Sequence, residues 1–224
     1  MKLYFHHCPA GFSNCYILGT PFPTDDDESP SPQNLDQPRE AVLIDPGNMD
    51  ATILGRIEDN NYTLRGVLVT HDHPHHVRGL KTIMRIYDVD IYAVNPHVYG
   101  YRTIPVKDRE SFAIGPFNFE VITVPGHSTD SAVFKIDRFL FTGDALSAGL
   151  VGNTNNSYAA ATQVSALRSK ILSLPGDFTV LPGHGPPSSL EAERQFNLDL
   201  NSFELRKNRR QAFPYDFSRT KVRQ

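Results

Sequence analysis

Four histidines fall within six residues of the sequence, at His71, His73, His75 and His76. They directly follow the apolar run at residues 66–69, which predicts a buried strand. Packing gives no reason for several imidazoles at the end of such a strand. Imidazole is, however, the commonest metal ligand among protein side chains, and a rigid strand end holds several of them around one point. The cluster therefore predicts a metal site.

Four further polar residues each follow an apolar strand candidate elsewhere in the chain. They are Asp45, His127 in Pro-Gly-His-Ser, Asp144 in Thr-Gly-Asp, and His184 in Pro-Gly-His-Gly. One histidine or aspartate at a strand end is usually a hydrogen-bonded turn residue. Several of them beside a histidine cluster are better explained by convergence on one site. The adjoining glycines suit tight turns in which backbone segments approach closely.

The elements that must position these residues alternate between strands and helices. Apolar and β-branched runs predict strands at residues 2–6, 14–18, 41–44, 66–70, 91–94, 117–124, 131–136, 138–141 and 179–181. Helical spacing predicts helices at about 51–59, 77–87, 162–173 and 189–206, with a loop at 149–160. Asn48 or Asp50 caps the first helix. Both halves run from strands to helices, which predicts an α/β fold with sheets packed face to face and helices outside.

Composition predicts one soluble domain over residues 1–224, with 39% hydrophobic residues and a formal charge of −3. The Pro, Asp and Ser content of residues 20–40 predicts a mobile loop. The basic tail at 206–224 is predicted to be a solvated segment. Cys8 and Cys15 provide no disulfide framework. The N-terminus lacks the apolar core of a signal peptide. We therefore expect a cytoplasmic protein with no membrane or nucleic-acid partner.

The motifs together resemble the metallo-β-lactamase fold superfamily. The order T-H-x-H-x-x-H, P-G-H-S, T-G-D and P-G-H-G, preceded by I-D-P-G, spans about residues 13–197. The match includes S-N-C-Y at 13–16. G-D-A-L at 143–146 and Glu193-Arg194 are similar to the glyoxalase II-like hydrolase branch. The resemblance implies a four-layer αβ/βα sandwich of the metallo-β-lactamase type.

The resemblance also implies a binuclear centre that holds two divalent metal ions, zinc or iron. By position it implies His71, His73 and His127 as ligands of the first ion, His76 and His184 as ligands of the second, Asp144 as the bridging carboxylate, and Asp45 as a support behind the ligands. Such a pair of ions lowers the pKa of a bound water and presents hydroxide to an electrophile.

His75 is the main departure from the family pattern H-x-H-x-D-H, because it replaces an aspartate. Imidazole there removes a negative charge, which favours a stronger Lewis acid but takes away a carboxylate that accepts protons. Three interpretations stay open: His75 ligates the second metal, it swings away and leaves a weaker site, or the metal is structural or regulatory. We count His75 among the metal ligands and, with Asp144, among the catalytic residues. A second departure is Asn153, which stands where related hydrolases often carry a basic residue.

Three functions follow from this reading. The first is a binuclear hydrolase whose metal-bound hydroxide attacks an ester, thioester or related bond of a small substrate. The alternative is a non-flavin di-iron protein that binds or senses dioxygen or metal, because imidazole also suits iron. A phosphodiesterase or nuclease ranks last, since those enzymes usually rely on the replaced aspartate and an added domain. The expected partner is thus a small substrate or dioxygen, and a homodimer stays open.

Overall fold

The computed structural model describes residues 1–9, 11–21 and 39–201. The strands in chain order are β1 (Lys2–Cys8), β2 (Ser13–Gly19), β3 (Arg39–Ile44), β4 (Tyr62–Leu68), β5 (Asp90–Ala93), β6 (His97–Val98), β7 (Tyr101–Arg102), β8 (Ile104–Pro105), β9 (Ser111–Ile114), β10 (Phe117–Thr123), β11 (Ala132–Ile136), β12 (Phe139–Gly143), β13 (Leu146–Ser147), β14 (Leu150–Val151), β15 (Thr179–Pro182) and β16 (Ser188–Ser189). The helices are α1 (Ala51–Glu58), α2 (Pro74–Val77), α3 (Leu80–Ile86), α4 (Ser157–Ala166), which continues as a π-helical turn over Leu167–Ile171, and α5 (Leu190–Phe196).

These strands form two six-stranded sheets, in the orders β1-β2-β3-β4-β5-β8 and β16-β15-β12-β11-β10-β9. Alternation along β2 and β3 explains the layers, since successive side chains of a strand point to opposite faces. Leu18 and Ile44 pack with Phe134 of the second sheet, whereas Ile17 and Leu43 pack on the opposite face.

Helices cover both outer faces of the sheet pair. On the first sheet they contribute Ile53, Ile57, Leu80 and Ile83. On the second sheet, Val164 of α4 and Leu190 of α5 pack against the outward-facing residues of the strands. The order of layers is therefore helix, sheet, sheet, helix, which confirms the predicted α/β sandwich.

The predicted elements differ from the observed ones chiefly at helix ends. Asp50, rather than Asn48, caps α1: its side chain accepts hydrogen bonds from the Thr52 and Ile53 amides. The helix predicted at 77–87 corresponds to α3, which begins only at Leu80, because Val77 ends the separate short helix α2. The helix predicted from 162 begins at Ser157, inside the predicted loop, because Asn156 caps it there.

Two predicted segments lie largely outside the described residues. Of the loop predicted at 20–40, Arg39 and Glu40 begin β3 instead, and residues 22–38 are outside the description. The basic tail at 206–224 is wholly outside it. Within the part of the chain that is described, no helix combines the length and the apolarity needed to cross a membrane.

The ends of five strands place the predicted site residues at one edge of the sandwich. In the first sheet β3 and β4 are parallel, and in the second β12 and β15 are parallel, with β10 running the same way through its antiparallel neighbour β11. Hydrogen bonds join the sheets at this edge: the Asn14 amide donates to the Gly183 carbonyl at 2.7 Å, and the Ala132 amide to the Thr70 carbonyl at 2.9 Å. Loops after strands of both sheets therefore meet there.

Candidate metal centre

A first group of four possible metal donors lies at this edge. It comprises one ligand atom each from His71, His73, His127 and Asp144, all within 4.8 Å of one another. The Asp144 Oδ2 atom lies 3.8 Å from His71 Nε2 and 3.5 Å from His127 Nε2. His127 Nε2 lies 3.0 Å from His73 Nδ1. Ligands of a tetrahedral ion with bonds of 2.0–2.1 Å lie about 3.3 Å apart, so these separations suit one ion.

A second group of three possible donors shares the same carboxylate. It consists of His76, Asp144 and His184. His76 Nε2 lies 3.4 Å from Asp144 Oδ2, and His184 Nδ1 lies 2.7 Å from Asp144 Oδ1. The two oxygens of Asp144 therefore face different histidines, an arrangement that allows one carboxylate to serve two adjacent ions.

Acceptors behind the histidines decide which ring nitrogen faces the centre. The His127 Nδ1–H donates to the Asn153 carbonyl at 2.7 Å, which leaves Nε2 unprotonated and turned toward the centre. The Thr70 hydroxyl donates its one proton to Asp45 Oδ2 at 2.6 Å, so at 3.1 Å it accepts from His71 Nδ1–H. Such contacts fix the tautomer and orientation of a metal-ligating histidine.

Asp45 anchors this outer layer. It is 2% exposed, accepts a second hydrogen bond from the Thr70 amide at 2.8 Å, and lies 3.3 Å from His76 Nδ1. Its φ angle of 50° is in the left-handed region, which aspartate tolerates better than most residues. That turn directs the carboxylate back toward Thr70 and His76.

The protonation states in the absence of metal suit a cation site. Burial, with the nearby charge of His76, lowers the pKa of His71 to about 2, and burial with His127 also lowers the pKa of His73. Burial opposes ionisation of Asp144, but contacts with His184 and His76 outweigh it and hold its pKa well below the usual range.

His76 differs from these two histidines. Burial works to lower its pKa, yet the contacts with Asp144 and Asp45 raise it to about 10. Binding of a cation by His76 would therefore release a proton.

Orphaned buried atoms indicate that a cation fits here. His71 Nε2 and both ring nitrogens of His76 are buried without a hydrogen bond of regular geometry. His184 Nδ1 lies at hydrogen-bonding distance, 2.7 Å, from Asp144 Oδ1, and its Nε2 lies 3.2 Å from the Gly11 carbonyl oxygen. Buried nitrogens without partners are costly unless a cation satisfies them. The donor set, imidazoles with one carboxylate, suits a divalent transition metal.

The structure brings together six of the seven predicted ligands, and His75 is the exception. Its exposed ring packs against Gly11, and its centroid lies 6.0 Å from that of the His184 ring. Ligation by any of the seven stays a prediction.

Sequence reasoning missed the residues that act behind the ligands. The sequence marks Thr70 as a strand end and the first residue of the histidine motif, and Asn153 as the replacement of a basic residue, and it assigns neither of them a contact with a ligand. Asp130, 6% exposed, accepts from the Asp72 amide at 3.0 Å and so holds the turn between His71 and His73. Thr70 is the first residue of one motif and Asp130 lies two residues after another, which is a weak signal, and the Asn153 carbonyl gives none.

Comparisons with known proteins agree on one family for this chain. The family model described as the metallo-beta-lactamase superfamily matches residues 35–184. The hydroxyacylglutathione hydrolase GloC of Haemophilus influenzae is 28% identical over 193 residues, which cover 75% of this chain and 90% of that protein. A hydroxyacylglutathione hydrolase of Francisella tularensis is 33% identical over 147 residues, which cover 64% of this chain and 58% of that protein.

A solved structure, ETHE1 from Myxococcus xanthus, matches the fold with a TM-score of 0.73. It is 22% identical, and the match covers 93% of this chain and 92% of that one.

Proposed function

The chain belongs to the metallo-β-lactamase superfamily, and from this membership we propose that it is a metal-dependent hydrolase. We propose further that it cleaves an ester, thioester or related bond of a small substrate. The observation that carries the proposal is Asp144, whose carboxylate belongs to both donor groups. His71, His73 and His127 would hold one ion with it, and His76 and His184 a second.

Divalent ions bound there would supply Lewis acidity, which lowers the pKa of water and polarises a carbonyl group. The chain's own residues supply order. Asp45 and Thr70 orient the imidazoles of His71 and His76, and the Asn153 carbonyl orients that of His127. Preorganised donors need little rearrangement as the reaction proceeds, which is the main source of electrostatic catalysis.

We propose His75 as the residue that handles protons at the rim. Its side chain is exposed and lies beside the ring of His184. The family pattern has a carboxylate at the position that His75 occupies. A neutral imidazole has one nitrogen that accepts a proton and one that donates a hydrogen bond. Ligation by His75 would require its ring to leave Gly11.

The substrate class rests on the named relatives. Two of them are hydroxyacylglutathione hydrolases, which favours a thioester. Asn153 is exposed and neutral, and its carbonyl is engaged by His127. We therefore propose a thioester or ester whose recognition does not depend on an anion clamp at that position.

Thiol release from a thioester panel tests the proposal. The full chain would be stripped and reloaded separately with Zn²⁺, Fe²⁺ and Mn²⁺, then offered a hydroxyacylglutathione, neutral thioesters and simple esters. We expect metal-dependent turnover that Asp144→Asn abolishes and that His75→Ala lowers by roughly 10²-fold in kcat. His97→Ala, at an exposed histidine in neither group, serves as the control. Fully metallated protein without turnover on any substrate would contradict the proposal.

The excess of imidazole over carboxylate favours a second candidate, a di-iron protein that binds or senses dioxygen. The six clustered donors are five histidines and one aspartate, and imidazole ligands suit iron as well as zinc. Anaerobic loading with Fe²⁺ followed by exposure to air should then produce a visible absorption band. Protein that acquires only zinc and stays colourless would exclude this candidate.

A further inference from the structure

Glu193 is a buried acid that the proposed chemistry does not use. It lies in α5, is 2% exposed, and accepts hydrogen bonds from the Ser188 hydroxyl at 2.6 Å and the Asn197 side-chain amide at 2.7 Å. Both of its carboxylate oxygens also lie 3.1 Å from the amide nitrogen of Gly149. Burying a carboxylate is costly, so the contacts that satisfy it point to a specific task.

Gly149 lies at the turn between β13 and β14, and the C-terminal part of the described chain holds this hairpin at three points. The Glu193 carboxylate accepts a hydrogen bond from the Gly149 amide, and the Leu198 amide donates to the Gly149 carbonyl at 2.8 Å. The Asp199 carboxylate accepts from the Val151 amide at 3.0 Å. The hairpin is thereby fixed to α5 and to the residues that follow it.

The hairpin connects two parts of the candidate metal centre. Asp144 precedes β13 by two residues, and Asn153 follows β14 by two. The Asn153 carbonyl is the acceptor, 2.7 Å away, that keeps the proton on His127 Nδ1 and leaves Nε2 facing Asp144. A shift of the hairpin would therefore move this carbonyl and release the ring of His127.

We propose that Glu193 is a positioning residue for the metal centre. By holding Gly149, Glu193 fixes the position of the Asn153 carbonyl. That carbonyl in turn fixes the tautomer and the orientation of the His127 ring. The proposal rests on the proposed function in one respect, namely that His127 is a metal ligand.

Glu193→Gln tests the proposal, with Glu191→Gln as the matched control. The amide keeps the size of the side chain but turns an NH₂ group toward donors that need acceptors. Glu191 lies two residues earlier and is exposed, so the same change there should leave the centre intact. Two measurements are needed: the ring ¹⁵N shifts of His127 in metal-free protein, and the affinity for Co²⁺ by competition with a chelator.

We expect Glu193→Gln to lose the single Nδ1–H signature of His127 and to bind Co²⁺ about 10–100-fold more weakly. A merely structural role would lower stability without changing the tautomer. A folded Glu193→Gln protein with unaltered His127 shifts and Co²⁺ affinity would overturn the proposal.

Asp199→Ala decides by the same two measurements if Glu193→Gln does not fold, since Asp199 is partly exposed and holds the same hairpin. Neither measurement involves a substrate. Protein that binds metal but hydrolyses nothing would therefore defeat the proposed function and leave the role of Glu193 standing. Wild-type protein that binds no metal would defeat the metal centre, and the ring shifts alone would then test Glu193.

Discussion

Each imidazole of the centre has two nitrogens, and the residue type does not say which one faces inward. Neighbouring acceptors decide this. His71 and His127 have Nδ1 occupied by Thr70 and Asn153, so both present Nε2. His73 instead faces His127 with Nδ1. The chemistry of the site therefore depends on groups that are not ligands themselves, and variants of those groups are the sharpest tests at this scale.

Asp45→Asn should invert the hydrogen bond that orients His71. The Thr70 hydroxyl now gives its proton to Asp45 and accepts from His71. An amide NH₂ group facing the Thr70 hydroxyl would donate to its oxygen, so the hydroxyl proton would turn toward His71 Nδ1. The neutral imidazole of His71 would then carry its own proton on Nε2, which faces the centre. We expect metal affinity to fall about 10–100-fold and stability to fall by about 1–3 kcal/mol.

Chelator competition and urea unfolding measure the two effects of Asp45→Asn. Asp90→Asn is the control, because Asp90 is an exposed carboxylate in β5. Equal affinity in Asp45→Asn and wild type would show that the outer layer does not orient the ligands.

Gly183→Ala should remove the space in which the second donor group meets. A Cβ atom there would lie 2.5 Å from Asp144 Oδ1 and 2.6 Å from His76 Cε1, closer than real Cβ contacts. We expect metal stoichiometry, measured by elemental analysis, to fall and hydrolysis to be lost. Gly55→Ala, within α1, is the contrasting change, since alanine favours a helix interior. A Gly183→Ala protein with full metal content would contradict this account.

At the scale of elements, the sequence predicted most strands because their apolar residues alternate. It missed the start of α4, since the Gly- and Asn-rich approach to Ser157 reads as a loop although Asn156 is a cap. The short pair β13 and β14 could not be predicted, because tertiary hydrogen bonds to Glu193 and Asp199 hold it.

In the candidate site, too, the sequence predicted some residues and missed others. The resemblance to the metallo-β-lactamase superfamily implied the six clustered donors, whereas the Asn153 carbonyl acts through the backbone, which carries no residue-specific signal. The motif position predicts an inward ring for His75, whereas the structure places that ring at the exposed rim, beside Gly11.

Asp50 should make the stability of α1 depend on pH. Partial burial works to raise its pKa, but the Ile53 amide, His6 and the Thr52 amide outweigh this and lower the pKa below the ordinary value of 3.8. A lowered folded-state pKa gives stability that is present above pH 3.8 and lost as the pH falls through the folded-state pKa.

Asp50→Ala should therefore cost about 1 kcal/mol at pH 7, and the difference from wild type should shrink in acid. Asp50→Asn keeps a good cap, so we expect it to retain most of the stability without this pH dependence. Urea unfolding from pH 7 to pH 3 measures both variants. A constant difference between wild type and Asp50→Ala across that range would contradict the assignment.

At the scale of the whole molecule, the donors come from both sheets. His71, His73 and His76 follow β4 of the first sheet, whereas His127, Asp144 and His184 follow strands of the second. An ion in either group would bind residues of both sheets at an edge otherwise joined by hydrogen bonds such as that from Asn14 to Gly183. The metal would then act on the fold as a whole and not only on the reaction.

Metal removal should therefore destabilise the entire sandwich in one transition. A ligand that binds only the folded state stabilises it by RT ln(1 + [L]/Kd), about 4 kcal/mol at 1,000 times Kd. We expect Tm to rise with free Zn²⁺ or Fe²⁺ and to fall after chelation, with near- and far-UV circular dichroism changing together. His71→Ala and Asp144→Asn should lose this dependence, because each removes a donor that links the sheets, and His97→Ala should keep it. A Tm independent of metal in the wild type would mean that no ion links the sheets, and the hydrolase proposal would lose its structural basis.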